Sequence, residues 1–258
     1  MVFLIILPFL IINLKKILKS IKSNFFILIV LSLLSITLFN TILYIGLSAT
    51  TATNALLISS SVPIMILILS YFILKQNISI NQGIGISLSL FGVGYLVLKG
   101  DIFNIFVLEF NKGDIWIILS SFIWALYSVL LKYKPKDLND FEFFTTTVTL
   151  GFILLSPFYL NQNYPLDREI NILKENYLIF IYISVFASIA SYYFWNYGIK
   201  NIGASNTGQF THLMPVFGTI LSYIFLGERL DYYHIFGIIF IAFGLYLSLF
   251  YKTKNLSS

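Results

Sequence analysis

The chain has 258 residues, of which 58% are hydrophobic and only 10% charged, with a net charge of +5 and no cysteine. Soluble domains carry about 25% charged residues, so this composition excludes an ordinary globular enzyme and indicates an all-α polytopic membrane protein. The missing cysteines exclude disulfides, thiolate nucleophiles and cysteine metal sites. The positive charge does not indicate nucleic acid, because the lysines sit in short loops between apolar runs.

In chain order, residues 1–14 are apolar but shorter than the ~20 residues a span requires. A signal peptide is disfavoured, because the basic cluster follows the apolar run and no small-residue cleavage site appears. Lys15, Lys16, Lys19 and Lys22 form a basic loop. Eight full spans are then expected at 24–47, 51–73, 81–98, 114–131, 141–160, 177–198, 204–226 and 232–251. With the 15–22 loop inside, eleven lysines fall on the inner face and five lysines and arginines on the outer face. Eight of the eleven carboxylates fall outside. This asymmetry predicts a cytoplasmic C-terminus.

The stretch 203–231 occurs twice. At an offset of 152 (206 minus 54), Asn54 meets Asn206 and Pro63 meets Pro215. Gly46 meets Gly198, Gly85 meets Gly237, Gly92 meets Gly244, and Ile68-Leu69-Ser70-Tyr71 meets Ile220-Leu221-Ser222-Tyr223, all without a gap. Apolar helices share leucine and isoleucine by chance, but not this asparagine, proline and glycine set in register. The chain therefore reads as a duplicated membrane unit. The loop count places the Asn54 span and the Asn206 span in opposite directions, as inverted repeats require.

Candidate residues each carry a plainer alternative. Asn54 and Asn206 open the proline-bearing helices, and helix capping and a pathway role stay open for both. Pro63 and Pro215 are kinks at matched positions, expected to shape a midplane cavity. Gln209 and His212 share a helical face at membrane depth. His212, whose register mate is Ser60, is the only ionisable group well inside a span and is most simply a neutral imidazole at a helix–helix contact. Tyr192 and Asn196, with register mates Asn40 and Tyr44, offer hydrogen bonds and ring faces to an amphipathic solute, as do Trp124 and Tyr127. Ser184, Ser188 and Ser191, and the glycine pairs Gly85/Gly92 and Gly237/Gly244, are read as packing faces. Glu228 and Arg229 are read as a turn contact. No nucleophile, metal cluster or paired carboxylate is visible, so neither an enzyme nor a cofactor or metal site is expected.

The pattern Gly198…Ala204-x-Asn206…Pro215…Leu226-Gly227-Glu228-Arg229-Leu230…Gly237…Phe243-Gly244, with Trp124-Ala125-Leu126-Tyr127…Lys132, resembles the EamA domain of the drug/metabolite transporter superfamily. The likeness covers nearly the whole chain and is strongest at 192–249. It implies a carrier of two inverted five-helix repeats with cytoplasmic termini. Here the repeats would be 1–99, with its first helix missing, and 114–251. Residues 100–113 connect them, and 252–258 form a cytoplasmic tail. About nine membrane segments result, the first one short. Gln76 stands where the family carries Glu in the first copy. The resemblance implies a multi-pass inner-membrane secondary transporter, exporting small metabolites or amphipathic compounds through a cavity lined by Asn40, Tyr44, Trp124, Tyr127, Tyr192, Asn196, Gln209 and His212. The implied partners are that small-molecule substrate and the lipid bilayer, with oligomeric state open, a homodimer included. A truncated non-transporting remnant and an integral-membrane enzyme are the rival readings.

Overall fold

A computed structural model describes residues 1–162, 165–227 and 229–250; Glu228 and the tail bearing Lys252 and Lys254 lie outside the described residues. In chain order the helices are α1 (Val2–Ile12), α2 (Leu14–Ser23), α3 (Phe25–Leu47), α4 (Ala52–Leu74), α5 (Ile80–Val97) and α6 (Lys112–Tyr133). They continue as α7 (Asp140–Leu160), α8 (Leu166–Glu175), α9 (Tyr177–Ile202), α10 (Ala204–Gln209), α11 (Met214–Leu221) and α12 (Tyr232–Phe250). Among the described residues there is no strand. In a bilayer the helix is the natural outcome for such a sequence, since it satisfies every backbone group internally.

Seven of these helices, α3, α4, α5, α6, α7, α9 and α12, are long and apolar enough to cross a membrane. The stretch 204–226, expected as one span, is divided by a 3-10 turn at Phe210–Leu213 and is not among the seven. Helix ends follow local chemistry. Thr51 caps α4 by accepting from the Asn54 amide, and Ser79 caps α5 by accepting from that of Gln82. Asn139 and Glu142 form a reciprocal capping box on α7. Neither Asn54 nor Asn206 is an N-cap; those positions belong to Thr51 and Gly203.

The chain forms two compact units, each taking one segment from either half of the sequence. The first comprises residues 1–41 and 130–201. In it α1 runs antiparallel to α7, with Phe3 stacked on Phe152 and Phe9 edge-on to Phe141, both at 4.5 Å between centroids. Gly151 lets α3 approach α7: an added Cβ would stand 2.5 Å from the Ile36 Cβ, and Thr37 Oγ1 donates to the Gly151 carbonyl at 3.2 Å. The charged residues gather at one end. Lys16 of α2 meets Glu142 at 2.6 Å, while Asp140 bridges Lys134 at 2.5 Å and Lys200 at 2.9 Å.

The second unit comprises residues 42–129 and 202–258. Its centre is the pairing of α5 with α12 along two glycines from each helix. A Cβ on Gly85 would lie 2.5 Å from the Gly244 carbonyl oxygen, and one on Gly92 would lie 2.8 Å from that of Gly237. The reverse contacts are also close, Gly244 to the Gly85 oxygen at 2.6 Å and Gly237 to the Gly92 oxygen at 3.1 Å. Val93, Leu96, Val216, Ile241 and Leu245 pack beside this seam. At the start of α4, the buried Asp114 of α6 accepts from Thr50 Oγ1, from Asn54 Nδ2 at 2.9 Å and from the Asn111 amide at 2.9 Å. Asn54 Nδ2 also donates to the Glu109 carbonyl at 3.0 Å. Four donations to polar groups at one helix start tie α4, α6 and the loop between α5 and α6 together.

Two stability measurements follow. Gly92→Ala places a methyl against the α12 backbone and lowers stability by about 1–3 kcal/mol. Gly94→Ala, two residues on in the same helix with nothing within 4 Å, gains up to about 1 kcal/mol from helix propensity. Asn54→Leu removes a donor from buried Asp114 and costs about 1–3 kcal/mol, whereas Asn206→Leu stays within about 0.5 kcal/mol, since the Asn206 side chain donates back to the Ile202 carbonyl one turn earlier. Thermal unfolding of the purified protein in detergent reads both contrasts.

Candidate functional site

Proline sets the geometry of the site. It has no N–H and collides with the preceding turn, so a helix tolerates it best in its first turn. Before both Pro63 and Pro215 the chain breaks just upstream of the proline. The first half of α4 ends at Ser59, and its second half begins at Val62 with Pro63 in the opening turn. In the second copy α10 ends at Gln209, a 3-10 turn follows, and α11 opens with Met214-Pro215. The expected kinks are therefore complete interruptions.

His212 occupies the second interruption and is fully buried. Its Nε2 lies 2.9 Å from the Ser60 carbonyl oxygen, and its Nδ1 lies 2.5 Å from Ser89 Oγ. A carbonyl only accepts, so Nε2 carries the proton; in the neutral ring Nδ1 then accepts from the Ser89 hydroxyl. Ser60 lies in the first interruption, ahead of the Ser61 that caps the second half of α4. The imidazole thus takes up a carbonyl that the break releases. One turn earlier, Gln209 is also fully buried. Its Nε2 donates to the Ser205 carbonyl at 3.2 Å, while its Oε1 has no hydrogen-bond partner.

A second polar centre lies in the first unit, where α3 and α9 each contain a π-helical segment, Leu33–Leu38 and Ile183–Ala190. Adding 152 to 33–38 gives 185–190, inside the second segment. Such wide turns leave carbonyls outside the regular ladder, and they recur at functional sites. Tyr192 donates its hydroxyl to the Ser35 carbonyl at 2.6 Å. Asn40 Nδ2 reaches the same carbonyl at 3.0 Å and the Tyr192 oxygen at 3.0 Å. Phe144 packs its ring 6.1 Å from that of Tyr192.

The remaining expected residues fall as follows. Asn196, buried, lies one turn beyond Tyr192 in the first unit. Tyr44, Trp124 and Tyr127 belong to the second unit with Gln209 and His212. Trp124 and Tyr127 face each other with centroids 5.3 Å apart; Tyr127 is wholly buried, while Tyr44 is exposed. Ser89, Ser35 and Asp114 contact the expected residues His212, Tyr192 and Asn54 without being expected themselves. In the sequence Asp114 reads only as one of the eight outer carboxylates, and no pattern marks either serine as the one that meets a histidine or tyrosine. Among the described residues no group of His, Asp and Glu is arranged to hold a metal ion.

Two polar contacts join residues separated by the repeat offset itself: Asn40 with Tyr192, and Ser60 with His212, each 152 residues apart. The glycine contacts exchange mates, since Gly85 plus 152 is Gly237 and Gly92 plus 152 is Gly244. What these sites offer chemically is hydrogen bonding at uncharged groups, with no nucleophile or acid–base pair aimed at a reacting atom.

The uncharacterized transporter YyaM of Bacillus subtilis is 32% identical over 226 residues, spanning 88% of this chain and 73% of that protein. The uncharacterized transporter YetK of the same organism is 28% identical over 90% of this chain and 70% of its own length. An uncharacterized transporter of Archaeoglobus fulgidus is 28% identical over 89% and 78%. A solved crystal structure shares the fold, with a TM-score of 0.58, 16% identity and coverage of 90% of this chain and 82% of its own. The model of the EamA-like transporter family matches residues 1–98 and 111–250, nearly the full length. The chain belongs to the EamA-like transporter family.

Proposed function

We propose that the protein is a secondary transporter that moves small metabolites or amphipathic compounds across the cytoplasmic membrane by alternating access, in the direction of export. In this reading the segments 1–99 and 114–251 are two repeats joined by 100–113 and related by a two-fold axis in the membrane plane. They supply nine membrane segments, counting the short 1–14 and the interrupted 204–226, and the C-terminus is cytoplasmic.

The observation that carries the reading is the meeting of register mates. Around a two-fold axis, a residue on the axis touches its own equivalent, and residues off it touch in exchanged pairs. Ser60 with His212 and Asn40 with Tyr192 are contacts of the first kind. Gly85 with Gly244 and Gly92 with Gly237 are contacts of the second kind. As one glycine number rises the other falls, so α5 and α12 run antiparallel. An axis relating antiparallel spans lies across the membrane normal, the arrangement of inverted-repeat carriers. Sidedness is supported at the charged end of the first unit. There the 15–22 and 132–136 segments, both assigned to the inside, reach neighbouring carboxylates on α7, Glu142 and Asp140.

Mechanistically, paired helix interruptions supply both a polar surface and a hinge. A carbonyl outside its ladder binds a solute hydroxyl or exchanges partners as the repeats rock. Within the second unit Gln209 and His212 are assigned to the solute path, with Tyr44, Trp124 and Tyr127 as aromatic surface; within the first unit Asn40, Tyr192 and Asn196 are assigned as a polar set for solute. Pro63, Pro215, Asn54 and Asn206 shape and anchor the interrupted helices.

A metabolite-efflux screen of cells with and without the gene identifies the substrate, and vesicle flux then tests the residues. Removing a buried hydrogen-bonding side chain from the path costs about 1–3 kcal/mol. Gln209→Ala and His212→Ala are therefore each expected to lower kcat/KM by about tenfold or more. Full flux in both variants would remove these residues from the path, and no gene-dependent efflux or uptake would remove the transport reading itself.

A further inference from the structure

The second unit contains a cavity of about 340 Å³ at the far end of α4 from Asn54. That volume is at the lower end of the ~300–1,000 Å³ typical of small-molecule sites. Its polar lining is Ser70 near the end of α4, Gln76 and Asn77 in the following turn, Gln82 at the start of α5, and Ser205 and Asn206 of α10. None of the six side chains carries a charge.

Ser70 makes this a built site rather than a gap. Several buried helical hydroxyls return their proton to their own helix, as Ser32 does to Leu28 at 2.6 Å, Ser35 to Leu31 at 2.7 Å and Ser128 to Trp124 at 2.8 Å, while Ser20 and Thr145, like Ser70, have no hydrogen-bond partner. Ser70 is 1% exposed, lines the cavity, and its hydroxyl has no hydrogen-bond partner. Leaving a buried hydroxyl unsatisfied costs about 1–3 kcal/mol, so the site is poised for a ligand group that donates and accepts. One turn deeper on α10, Gln209 Oε1 is likewise buried and unpartnered, and its amide nitrogen holds the carbonyl of Ser205, a lining residue. Gln209 thus sits directly behind the lining residue Ser205.

The register adds a chemical contrast. Adding 152 to Gln76, Asn77 and Gln82 gives Glu228, Arg229 and His234. At the three mouth positions one copy carries amides where the other carries ionisable residues. A charged solute that passes the exposed amide mouth to reach the buried Ser70 and Ser205 sheds water without meeting a counter-charge among the lining residues, which carries a cost. An uncharged amide or hydroxyl finds both donors and acceptors.

We propose that this cavity is a recognition pocket for small uncharged solutes bearing amide or hydroxyl groups, an antechamber at the cytoplasmic end of the path to Gln209. The proposal deepens the transport reading and rests on it for the word antechamber. The pocket's preference for neutral ligands is a separate property with its own readout.

The native chain has no cysteine, so Ser70→Cys and Asn206→Cys report on the pocket alone. The full chain in nanodiscs, where both faces are accessible, is reacted with neutral, trimethylammonium and sulfonate methanethiosulfonates, each rate normalised to free cysteine. Both variants are expected to react about tenfold or more faster with the neutral reagent, the cost of bringing an unpaired charge to a neutral polar site. Acetamide slows the neutral reaction while acetate, its charged counterpart of the same shape, does not. Adding Gln76→Glu to Ser70→Cys raises the cationic rate several-fold. Equal normalised rates for the three reagents, no reaction at either cysteine, or equal protection by acetate overturns the pocket. Because labelling needs no flux, failed transport leaves the rate ratio in place, and a failed pocket leaves flux in place.

Discussion

A carbonyl that leaves its helix ladder inside a bilayer has no water to turn to and must be met by protein. Two such carbonyls organise this chain. At the break before Pro63 the Ser60 carbonyl faces the buried His212, which meets it at 2.9 Å from the interruption before Pro215. The π-helical turn in α3 releases the Ser35 carbonyl, which Tyr192 and Asn40 share. In each case a backbone carbonyl from one half of the sequence is met by a side chain from the other half.

The glycine seam obeys the same reciprocity by steric means. α5 and α12 approach so closely that a methyl on any of the four glycines would meet main-chain or Cβ atoms of the opposite helix. Small residues allow this approach where hydrophobic burial offers no drive between helices in lipid. The compact units therefore cut across the sequence halves, each assembled from a segment of both. The proposed inversion of the repeats accounts for the hydrogen-bonded mates and the exchanged glycines together, and no further assumption is needed to relate them.

Much of the architecture is legible in composition and pattern. The spans appear as uncharged apolar runs and the breaks as prolines, and asparagine, proline and glycine recur in register at an offset of 152. The family resemblance rests on those same residues, and the match to EamA-like transporters covers them. Other parts leave no trace. The π-helical turns at Leu33–Leu38 and Ile183–Ala190 contain neither glycine nor proline, because such a turn is a matter of hydrogen-bond register rather than residue type. The cap of α4 is Thr51, three residues before the asparagine that attracted a capping reading. That amide is engaged by Asp114, some 60 residues away, a distance that local chemistry cannot span. His212 and Ser60 are identifiable as register mates from numbering alone, but only folding shows that mates touch.

The central claim is that one membrane unit is present twice, facing opposite ways. Its most direct test places one cysteine at Asn77 and another, in a separate protein, at Arg229, its mate at 77 plus 152, and labels each in sealed vesicles of known orientation with a membrane-impermeant maleimide. The account predicts that Asn77→Cys labels from the cytoplasmic face and Arg229→Cys from the opposite face. Labelling of both from the same face would contradict it.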